Sequence, residues 1–502
     1  MSLQFNIRIA KHRRTFIAID HFEFPEQKVT FLFGESGIGK SILSKAIYGL
    51  LNPLRLDIHI NGDSYPDYLR SARTQKFREA GFFVFQEPSS HLNPLIRLQA
   101  QLREGSLADA PGEQEILRHL WNHAPEQEIR KLLEVYPKPH RPSGGEKQRF
   151  LLAMAFKKLL RMQQEGRAQE GLYVFDEPSG SLDNHFRNRF LEMLFQRFRK
   201  GPFSAIFITH DYSIISEIYS RHADLREQIA FKELSRQDDR LVLQDFAPRA
   251  YLDWLKLEQS METPPGDRRK PLLTMKGGYE IFGKKMIFRR NREEKGPDPG
   301  MLQIHRGEIV YLKAASGVGK TTLAKIIMGL QPCRRLEMRI GELAFTENTP
   351  RRVWQQQVWA KKIGMVFQHA DEALNLNSTV QAVFAGLPIQ PPLTPASIVQ
   401  LLNELFEGTI EPAFLNQKVS LLSGGQKQRL NLLRTLALDT DLVLLDEPLN
   451  GLDFLSIQRV IAALKEKQQE GKAILMISHN EEIFEAVIPP ENSYYLDFSG
   501  GA

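Results

Sequence analysis

Short apolar runs that end in glycine-rich turns, acidic pairs or histidines recur along the chain. Val29–Phe33 is a β-rich apolar run, a glycine-rich turn follows it, and Ser41–Tyr48 then has helical spacing. This order predicts a strand, a loop and a helix. Four more apolar runs predict buried strands, two ending in acid and two at a histidine: Leu172–Phe175, Leu442–Leu445, Ala205–Ile208 and Ala473–Ile477. The pattern predicts an α/β fold whose polar residues lie at strand ends, where open parallel sheets bind ligands.

The same landmarks occur twice in the same order, which indicates an internal repeat. They are Lys40, Gln86, Ser143, Glu177 and His210 in the first copy, and Lys320, Gln368, Ser423, Glu447 and His479 in the second. Subtracting each pair gives separations of 280, 282, 280, 270 and 269 residues. The repeat predicts two domains, 1–245 and 271–502, joined by a linker at 246–270 that contains proline, glycine and charge.

Composition narrows the class of protein. Hydrophobic residues make up 42% and charged residues 25% of the 502, as in ordinary globular proteins. No run approaches the ~18 apolar residues of a spanning helix, and no signal peptide is recognisable, so we expect a cytoplasmic chain. The single cysteine, Cys333, fits a reducing compartment. The net charge of +6 is spread along the sequence, which favours a solvated surface over a nucleic-acid or lipid-headgroup surface, and no nucleic-acid partner is expected.

Two glycine-rich segments have the phosphate-loop pattern. In the first, Gly34, Gly37 and Gly39 would let backbone N–H groups wrap phosphates, Lys40 would neutralise them and Ser41 would offer a hydroxyl to Mg²⁺. The second copy has the corresponding residues Gly317, Gly319, Lys320 and Thr321. Ala314 replaces the first glycine there, and it would be strained if that position requires a positive φ.

Each half also has an acidic pair directly after an apolar strand. The pairs are Asp176-Glu177 and Asp446-Glu447, each followed by proline. An acidic pair at a strand end is by itself more often a turn or a helix cap. Downstream of a phosphate loop, the aspartate is instead expected to hold Mg²⁺ and the glutamate to act as general base toward water.

A third motif resembles the signature sequence of ATP-binding cassette (ABC) proteins. Leu422–Arg429 matches it in full, and 142–149 is similar except at Pro142 and Glu146. Each copy has a Ser-Gly-Gly turn that opens a helix, a second phosphate site made of backbone amides and a helix dipole: Ser143, Gly144 and Gly145 in one, Ser423, Gly424 and Gly425 in the other. The resemblance covers nearly the whole chain. It implies two tandem P-loop NTPase domains of ABC type, each with a mainly parallel core sheet, an antiparallel β subdomain and a helical subdomain.

The resemblance also implies roles for the remaining landmarks. Gln86 and Gln368 resemble Q-loop glutamines that sense metal and water, and His210 and His479 resemble switch histidines that contact the γ-phosphate. The cofactors implied are ATP and Mg²⁺, with metal ligands at Ser41, Gln86 and Asp176 and at Thr321, Gln368 and Asp446. D-loops are implied at 181–183 and at Gly451–Asp453. Phe16 and Phe282 could stack on adenine, although core packing is the favoured explanation for both.

Cassettes of this family pair head to tail, so the resemblance implies intramolecular pairing with two composite ATP sites. One would join the first phosphate loop to the signature at Ser423, and the other would join the second loop to the signature at Ser143. Ala314, Pro142 and Glu146 would all fall in the second site. Strain and charge of about 1–3 kcal/mol together then predict that the second site is the slower one.

The sequence leaves the cellular role open between three classes. The segment after Gln86, from Glu87 to 94, resembles peptide and nickel importer ATPases, and Ala373–Asn375 is a weaker echo. The leading hypothesis is a fused cassette pair on the inner face of the membrane, energising permease subunits that import peptides, nickel or a related solute. The alternative is a soluble twin-cassette ATPase that remodels a protein complex, like the pair associated with carbon–phosphorus lyase or the activator of methyl-coenzyme M reductase. A ribosome-bound factor would predict a long charged arm between the halves, which this sequence does not suggest.

Overall fold

Two compact units make up the fold, Met1–Tyr251 and Leu252–Ala502. The computed structural model describes residues 2–11, 14–93, 95–104, 107, 112–122, 124–134, 143–178, 184–237, 240–261, 266–291, 298–315 and 317–498. The division between the units falls inside a helix, Pro248–Ser260, within the stretch that the sequence assigns to the linker. We refer to the two units as the first and second halves.

The first half consists of two sheets and surrounding helices. Its strands are β1 (Ser2–Lys11), β2 (Arg14–Pro25), β3 (Val29–Gly34), β4 (Asp57–Ile60), β5 (Asp63–Ser64), β6 (Phe82–Val84), β7 (Leu172–Asp176), β8 (Ser204–Ile208), β9 (Ile229–Gln237) and β10 (Arg240–Asp245). Its helices are α1 (Lys40–Tyr48), α2 (Tyr65–Arg70), α3 (Ala72–Ala80), α4 (Leu98–Leu102), α5 (Glu113–Leu120), α6 (Glu126–Glu134), α7 (Gly144–Gln164), α8 (Asn184–Lys200) and α9 (Ser213–Arg221). The helix that crosses the division between the halves is α10 (Pro248–Ser260).

The larger sheet of this half has the order β10-β9-β3-β8-β7-β6. Its β9, β3, β8, β7 and β6 run parallel, and β10 is antiparallel at the edge. Every residue of β3, β7 and β8 is buried, as expected for strands covered on both faces. Because the strands are parallel, their carboxyl ends share one edge, which carries the phosphate loop, the acidic pair and the histidine. A second, antiparallel sheet has the order β2-β1-β4-β5.

The second half repeats this plan. Its strands are β11 (Asp267–Lys276), β12 (Glu280–Ile281), β13 (Lys284–Arg289), β14 (Met301–Arg306), β15 (Ile309–Lys313), β16 (Met338–Ile340), β17 (Leu343–Phe345), β18 (Ile363–Val366), β19 (Leu442–Asp446), β20 (Ala473–Ile477) and β21 (Ser493–Phe498). Its helices are α11 (Lys320–Ile327), α12 (Arg351–Val353), α13 (Ala370–Ala373), α14 (Val380–Val383), α15 (Pro395–Leu405), α16 (Gly424–Leu436), α17 (Phe454–Gln469) and α18 (Glu481–Val487).

The core sheet of the second half has the order β12-β13-β21-β15-β20-β19-β18. Its β21, β15, β20, β19 and β18 run parallel, whereas β12 and β13 are antiparallel. An antiparallel sheet of order β14-β11-β16-β17 accompanies it. In each half, helices that lie between the Q-loop glutamine and the signature pack on the signature helix, α4 and α5 on α7 and α15 on α16. The predicted fold, with its parallel core sheets, antiparallel sheets and helical parts, is therefore confirmed.

Candidate functional site

The first phosphate loop connects β3 to α1 through residues in left-handed backbone conformations. Gly37 and Gly39 have φ of 81° and 118°, values that glycine adopts readily because it lacks a Cβ. Gly34 has φ of 134°, and a Cβ there would clash with the Leu234 carbonyl oxygen. The Lys40 ammonium group donates hydrogen bonds to the Gly34 and Glu35 carbonyl oxygens at 2.6 and 3.0 Å. The lysine side chain therefore folds back over the loop.

The second phosphate loop, between β15 and α11, has a similar backbone with one difference. Gly317 and Gly319 have φ of 78° and 110°, and the Lys320 ammonium group donates to the Ala314 carbonyl oxygen at 2.7 Å. Burial lowers the pKa of Lys320. Residue 316 lies outside the described residues.

Ala314 does not have the strain that the sequence suggested, because its φ is not positive. In the first half, pairing of β3 with β9 continues to Gly34, opposite Leu234, whereas in the second half β15 pairs with β21 only as far as Lys313. Ala314 therefore has no paired strand residue opposite it, and its Cβ does not meet a neighbouring backbone as a Cβ at position 34 would.

Buried carboxylates lie beside both loops in positions that suit a divalent cation. The Ser41 hydroxyl donates to Asp176 Oδ1 at 2.6 Å, while Asp176 Oδ2 accepts no hydrogen bond and is 4.0 Å from Lys45 Nζ. In the second half neither carboxylate oxygen of Asp446 accepts a hydrogen bond of ordinary geometry. Burial raises the pKa of both aspartates, and the hydroxyl groups of Ser41 and Thr321 oppose that change. A buried oxygen without a donor is costly unless a cation compensates, so both positions fit Mg²⁺.

A hard cation at these positions would need few protein ligands. Within the described ranges, no group of three or more His, Cys, Asp or Glu side chains is arranged to hold a metal. Mg²⁺ commonly binds through one or two carboxylates together with water and substrate phosphates. Each half offers one aspartate and one hydroxyl group, which is the small number of protein ligands that Mg²⁺ commonly uses.

Glu177 lies in a compact group with the other predicted catalytic residue of the first half, His210, and the Q-loop glutamine Gln86. Gln86 Nε2 donates to Glu177 Oε2 at 2.7 Å, and His210 Nδ1 is 3.5 Å from Glu177 Oε1. Burial alone would raise the pKa of Glu177, but the histidine, Lys40 and Gln86 lower it. The Glu177 carboxylate in turn raises the pKa of His210 against the effect of burial. This half therefore has a charged carboxylate that contacts both the Q-loop and the switch histidine.

Glu447 has different partners in the second half. Its Oε2 accepts hydrogen bonds from the Ser478 hydroxyl at 2.8 Å and the His479 backbone N–H at 3.1 Å. Burial raises its pKa to about 7, although these two donors oppose that change. His479 Nε2 is 3.6 Å from Oε1, but its ring is 52% exposed, compared with 24% for His210. Gln368 is partly buried, and we find no hydrogen bond from it to Glu447 among the described residues.

Both glutamates have a left-handed backbone that the sequence did not indicate. Their φ values are 45° for Glu177 and 51° for Glu447, which is uncommon for residues other than glycine. Each donates its N–H to the carbonyl oxygen of the residue ending the neighbouring strand, Ile208 at 3.0 Å or Ile477 at 2.8 Å. Such strain persists where the surroundings enforce it, and it occurs often at functional sites.

The signature turns open α7 and α16 with capping boxes. Ser143 and Ser423 are the N-caps, and each accepts a hydrogen bond from the backbone N–H three residues later. Glu146 also accepts from both the N–H and the hydroxyl of Ser143, at 2.7 and 2.9 Å, whereas Gln426 accepts from the Ser423 N–H at 2.9 Å. Gly144 and Gly424 are exposed, and a Cβ on Gly144 would meet open space. Gly145 and Gly425, the second residues of each helix, are partly and fully buried.

The structure excludes the favoured explanation for two aromatic residues, Phe16 and Phe282. Core packing is wrong as the explanation for Phe16 and Phe282, because these residues are 43% and 82% exposed.

Pro142 and the D-loop at 181–183 lie outside the described residues. In the second half, Gly451 has φ of 74° and Asp453 caps α17 by accepting from the Ser456 N–H at 2.7 Å.

Sequence reasoning missed a contact that fixes the residue after the switch histidine of the first half. Asp211 pairs with Arg187 of α8 at 2.6 Å, and the arginine, with Ser213, lowers the pKa of this partly buried carboxyl group despite its desolvation. An acid next to His210 was the available signal, but its partner lies 24 residues away in sequence. The second half has Asn480 at the corresponding position.

Together, these features define the class of the protein: a nucleoside triphosphatase with two P-loop domains, each carrying an Asp-Glu pair with a buried aspartate and a histidine at one sheet edge. A sequence profile described as ABC transporter matches residues 19–163 and 299–450. The chain belongs to the ABC transporter family and is an ATPase with two ATP-binding domains. The predictions of family, fold and enzymatic activity are confirmed.

Two relatives resemble the chain over most of its length, and a third resembles part of it. The uncharacterized ABC transporter ATP-binding protein YejF of Escherichia coli strain K12 is 29% identical over 91% of this chain and 86% of its own. The glutathione import ATP-binding protein GsiA of Pectobacterium atrosepticum is 25% identical over 91% of this chain and 78% of its own. The nickel import ATP-binding protein LarO of Lactiplantibacillus plantarum is 32% identical over 37% of this chain and 77% of its own.

Solved structures share the fold at lower identity. A structure titled RNase-L Inhibitor superposes with a TM-score of 0.60 at 20% identity, over 97% of this chain and 89% of its own. An archaeal ribosome recycling factor, aABCE1, in complex with the ribosomal stalk protein aP1, gives a TM-score of 0.61 at 19% identity over the same shares of the two chains. Within the described residues, no helix has both the length and the apolar character required to cross a membrane.

The differences between the halves predict unequal contributions to hydrolysis. We expect Glu177→Gln alone to reduce steady-state ATPase activity more than Glu447→Gln alone, because only Glu177 contacts both its glutamine and, at 3.5 Å, its histidine. A difference of about 1.4 kcal/mol in barrier would make the losses differ tenfold. The measurement is turnover at saturating ATP on matched preparations. Equal losses would show that the two glutamates contribute equally, and a larger loss for Glu447→Gln would reverse the predicted order; either result contradicts the prediction.

Proposed function

We propose that the chain is the ATP-hydrolysing subunit of an importer for peptides, nickel or a related small solute, and that it docks on separate membrane-spanning subunits from the cytoplasmic side. The observation that carries this proposal is the exposed Leu95, which lies in a loop, nine residues after the Q-loop glutamine Gln86 and between residues whose backbone is anchored. The importer names of the relatives GsiA and LarO support the same assignment.

The loop is held by one buried side chain. Gln101, which is 5% exposed, accepts a hydrogen bond from the Asn93 N–H at 2.8 Å and donates to the Asn93 and Ile96 carbonyl oxygens at 3.0 and 2.8 Å. Leu95 is 80% exposed between these anchor points. A large apolar side chain exposed to water between anchored backbone groups suits the docking of an apolar partner surface.

In the proposed reaction, Glu177 and Glu447 accept a proton from the attacking water, and Gln86 and Gln368 orient that water. Lys40 and Lys320 neutralise charge on the phosphates, while His210 and His479 contact the γ-phosphate. Mg²⁺, held by Asp176 with Ser41 and by Asp446 with Thr321, would neutralise charge on the β- and γ-phosphate oxygens when bound. The glutamines Gln86 and Gln368 complete the proposed metal surroundings.

The two halves are proposed to act as a pair, as the family resemblance implies. The first phosphate loop would share its ATP with Ser423, Gly424 and Gly425, and the second with Ser143, Gly144 and Gly145. This pairing rests on the signature motifs and on the capped helices that carry them. Neither half is then expected to hydrolyse ATP well alone.

Membrane extraction tests the importer proposal. Purification of the tagged chain from gently solubilised native membranes should recover hydrophobic subunits, and Leu95→Asp should reduce that recovery about tenfold or more. Burying one leucine stabilises a complex by about 1.5–3 kcal/mol, and 1.4 kcal/mol corresponds to tenfold in affinity.

Leu54→Asp is the matched control, because Leu54 is 93% exposed on the turn between α1 and β4 and should leave recovery unchanged. Recovery of soluble enzymes alone would contradict import and favour the remodelling alternative. Equal recovery with both variants would contradict docking through the loop at Leu95.

A further inference from the structure

A pair of hydroxyl groups in the second half fixes Glu447. The Ser478 hydroxyl donates to Glu447 Oε2 at 2.8 Å, and the side chain of Ser478 is almost fully buried. The same hydroxyl oxygen accepts from the Asn480 N–H at 3.1 Å, so the direction of its proton is set toward the carboxylate. Glu447 is 6% exposed, which places its carboxyl group inward.

Tyr311 fixes Ser478 in turn. Its hydroxyl donates to the Ser478 carbonyl oxygen at 3.1 Å, and the tyrosine is fully buried on β15, the strand that leads into the second phosphate loop. A buried hydroxyl that finds an acceptor holds that acceptor in place, because losing the bond would leave a polar group unpaired. The connection therefore runs from β15 through the backbone of Ser478 to the carboxylate of Glu447.

The first half lacks both features although its fold is the same. Phe31 occupies the position of Tyr311 and has no hydroxyl, and Thr209 occupies that of Ser478. Thr209 Oγ1 accepts from the Asp211 N–H at 3.0 Å, matching the serine in that respect. Among the described residues, however, Thr209 makes no hydrogen bond to Glu177, whose Oε2 accepts from Gln86 at 2.7 Å instead.

We propose that Ser478, held by Tyr311, is a positioning residue for Glu447. It retains the Glu447 carboxyl group beside the end of β20, the strand that leads into His479, and away from the Q-loop glutamine Gln368. The second half then hydrolyses ATP more slowly than the first. The proposal rests on the assignment of Glu447 as general base. The slower hydrolysis predicted for the second half would then be caused by the hydroxyl groups of Ser478 and Tyr311 and not by the phosphate loop.

Single-turnover hydrolysis of [γ-³²P]ATP in the full chain tests this proposal in a Glu177→Gln background, where only Glu447 is left to act as base. Adding Ser478→Ala should raise the rate of phosphate release about threefold to tenfold, the order expected for one ordinary hydrogen bond, with the KM for ATP unchanged. Ser478→Thr keeps a hydroxyl and should restore the slow rate. Tyr311→Phe should raise the rate in the same direction.

Thr209→Ala in a Glu447→Gln background is the matched control, since it removes the same turn hydrogen bond without a carboxylate partner and should leave the rate unchanged. A merely structural role for Ser478 would lower the melting temperature without raising the rate. An unchanged, lower or undetectable rate for Glu177→Gln with Ser478→Ala would overturn the proposal. Hydrolysis that persists in Glu177→Gln with Glu447→Gln would instead overturn the general-base assignment.

Discussion

Replacing Glu177 and Glu447 together by glutamine is expected to slow ATP hydrolysis by about 100- to 10,000-fold, the usual effect of removing a general base. Glutamine has nearly the same shape and hydrogen-bonding reach as glutamate but cannot accept the proton of the attacking water. Gln86 and Ser478 contact these carboxylates without replacing them chemically. ATP binding should therefore survive while turnover is lost, and the two halves should close on trapped ATP.

The measurement is steady-state phosphate release together with retention of labelled ATP on the purified protein. Glu165→Gln with Glu342→Gln is the control, because these glutamates form surface ion pairs with Arg161 and Lys270 and should leave turnover unchanged. Normal turnover in the Glu177 and Glu447 double variant would exclude both residues as bases.

Changing Lys40 and Lys320 together to alanine is expected to weaken the binding of Mg-ATP by about 10- to 100-fold. Each ammonium group lies over its phosphate loop, where it donates to the carbonyl oxygen of residue 34 or 314. A hydrogen bond to a charged group contributes about 1.5–3 kcal/mol, which corresponds to this range in affinity.

A direct calorimetric titration with Mg-ATP measures the effect. Lys76→Ala with Lys361→Ala removes two exposed lysines and should leave affinity unchanged. Melting temperatures of both double variants would reveal any loss of folding. Unchanged affinity for the Lys40 and Lys320 variant would show that these loops do not hold phosphate.

Local patterns were sufficient to predict the sheet edge of the site. The strands that end in Asp176 and Asp446 are continuous apolar runs, and continuous burial is what a central parallel strand requires. Gly37 and Gly39 occupy the two positions at which the turn into α1 requires a positive φ. Such features depend on a few neighbouring residues, so sequence alone reveals them.

Contacts between distant segments could not be predicted in this way. Ser478 reaches Glu447 across 31 residues, and Tyr311 reaches Ser478 across 167. The sequence shows only that a serine precedes one switch histidine and a threonine the other. Likewise, the strain predicted for Ala314 depended on how far β15 pairs with β21, which is a property of the sheet and not of the phosphate-loop motif.

The first residues of the two phosphate loops also limit how the repeated gene segments can be exchanged. Copying Ala314 into position 34 would drive a Cβ into the Leu234 carbonyl oxygen at a φ of 134°, whereas copying Gly34 into position 314 would add only backbone freedom, at about 0.5–1 kcal/mol. Recombination between the halves is therefore tolerated in one direction and penalised in the other. Two glycine loops are therefore compatible with the backbone of both halves, whereas two alanine loops are not, because only position 34 lies against a neighbouring carbonyl oxygen.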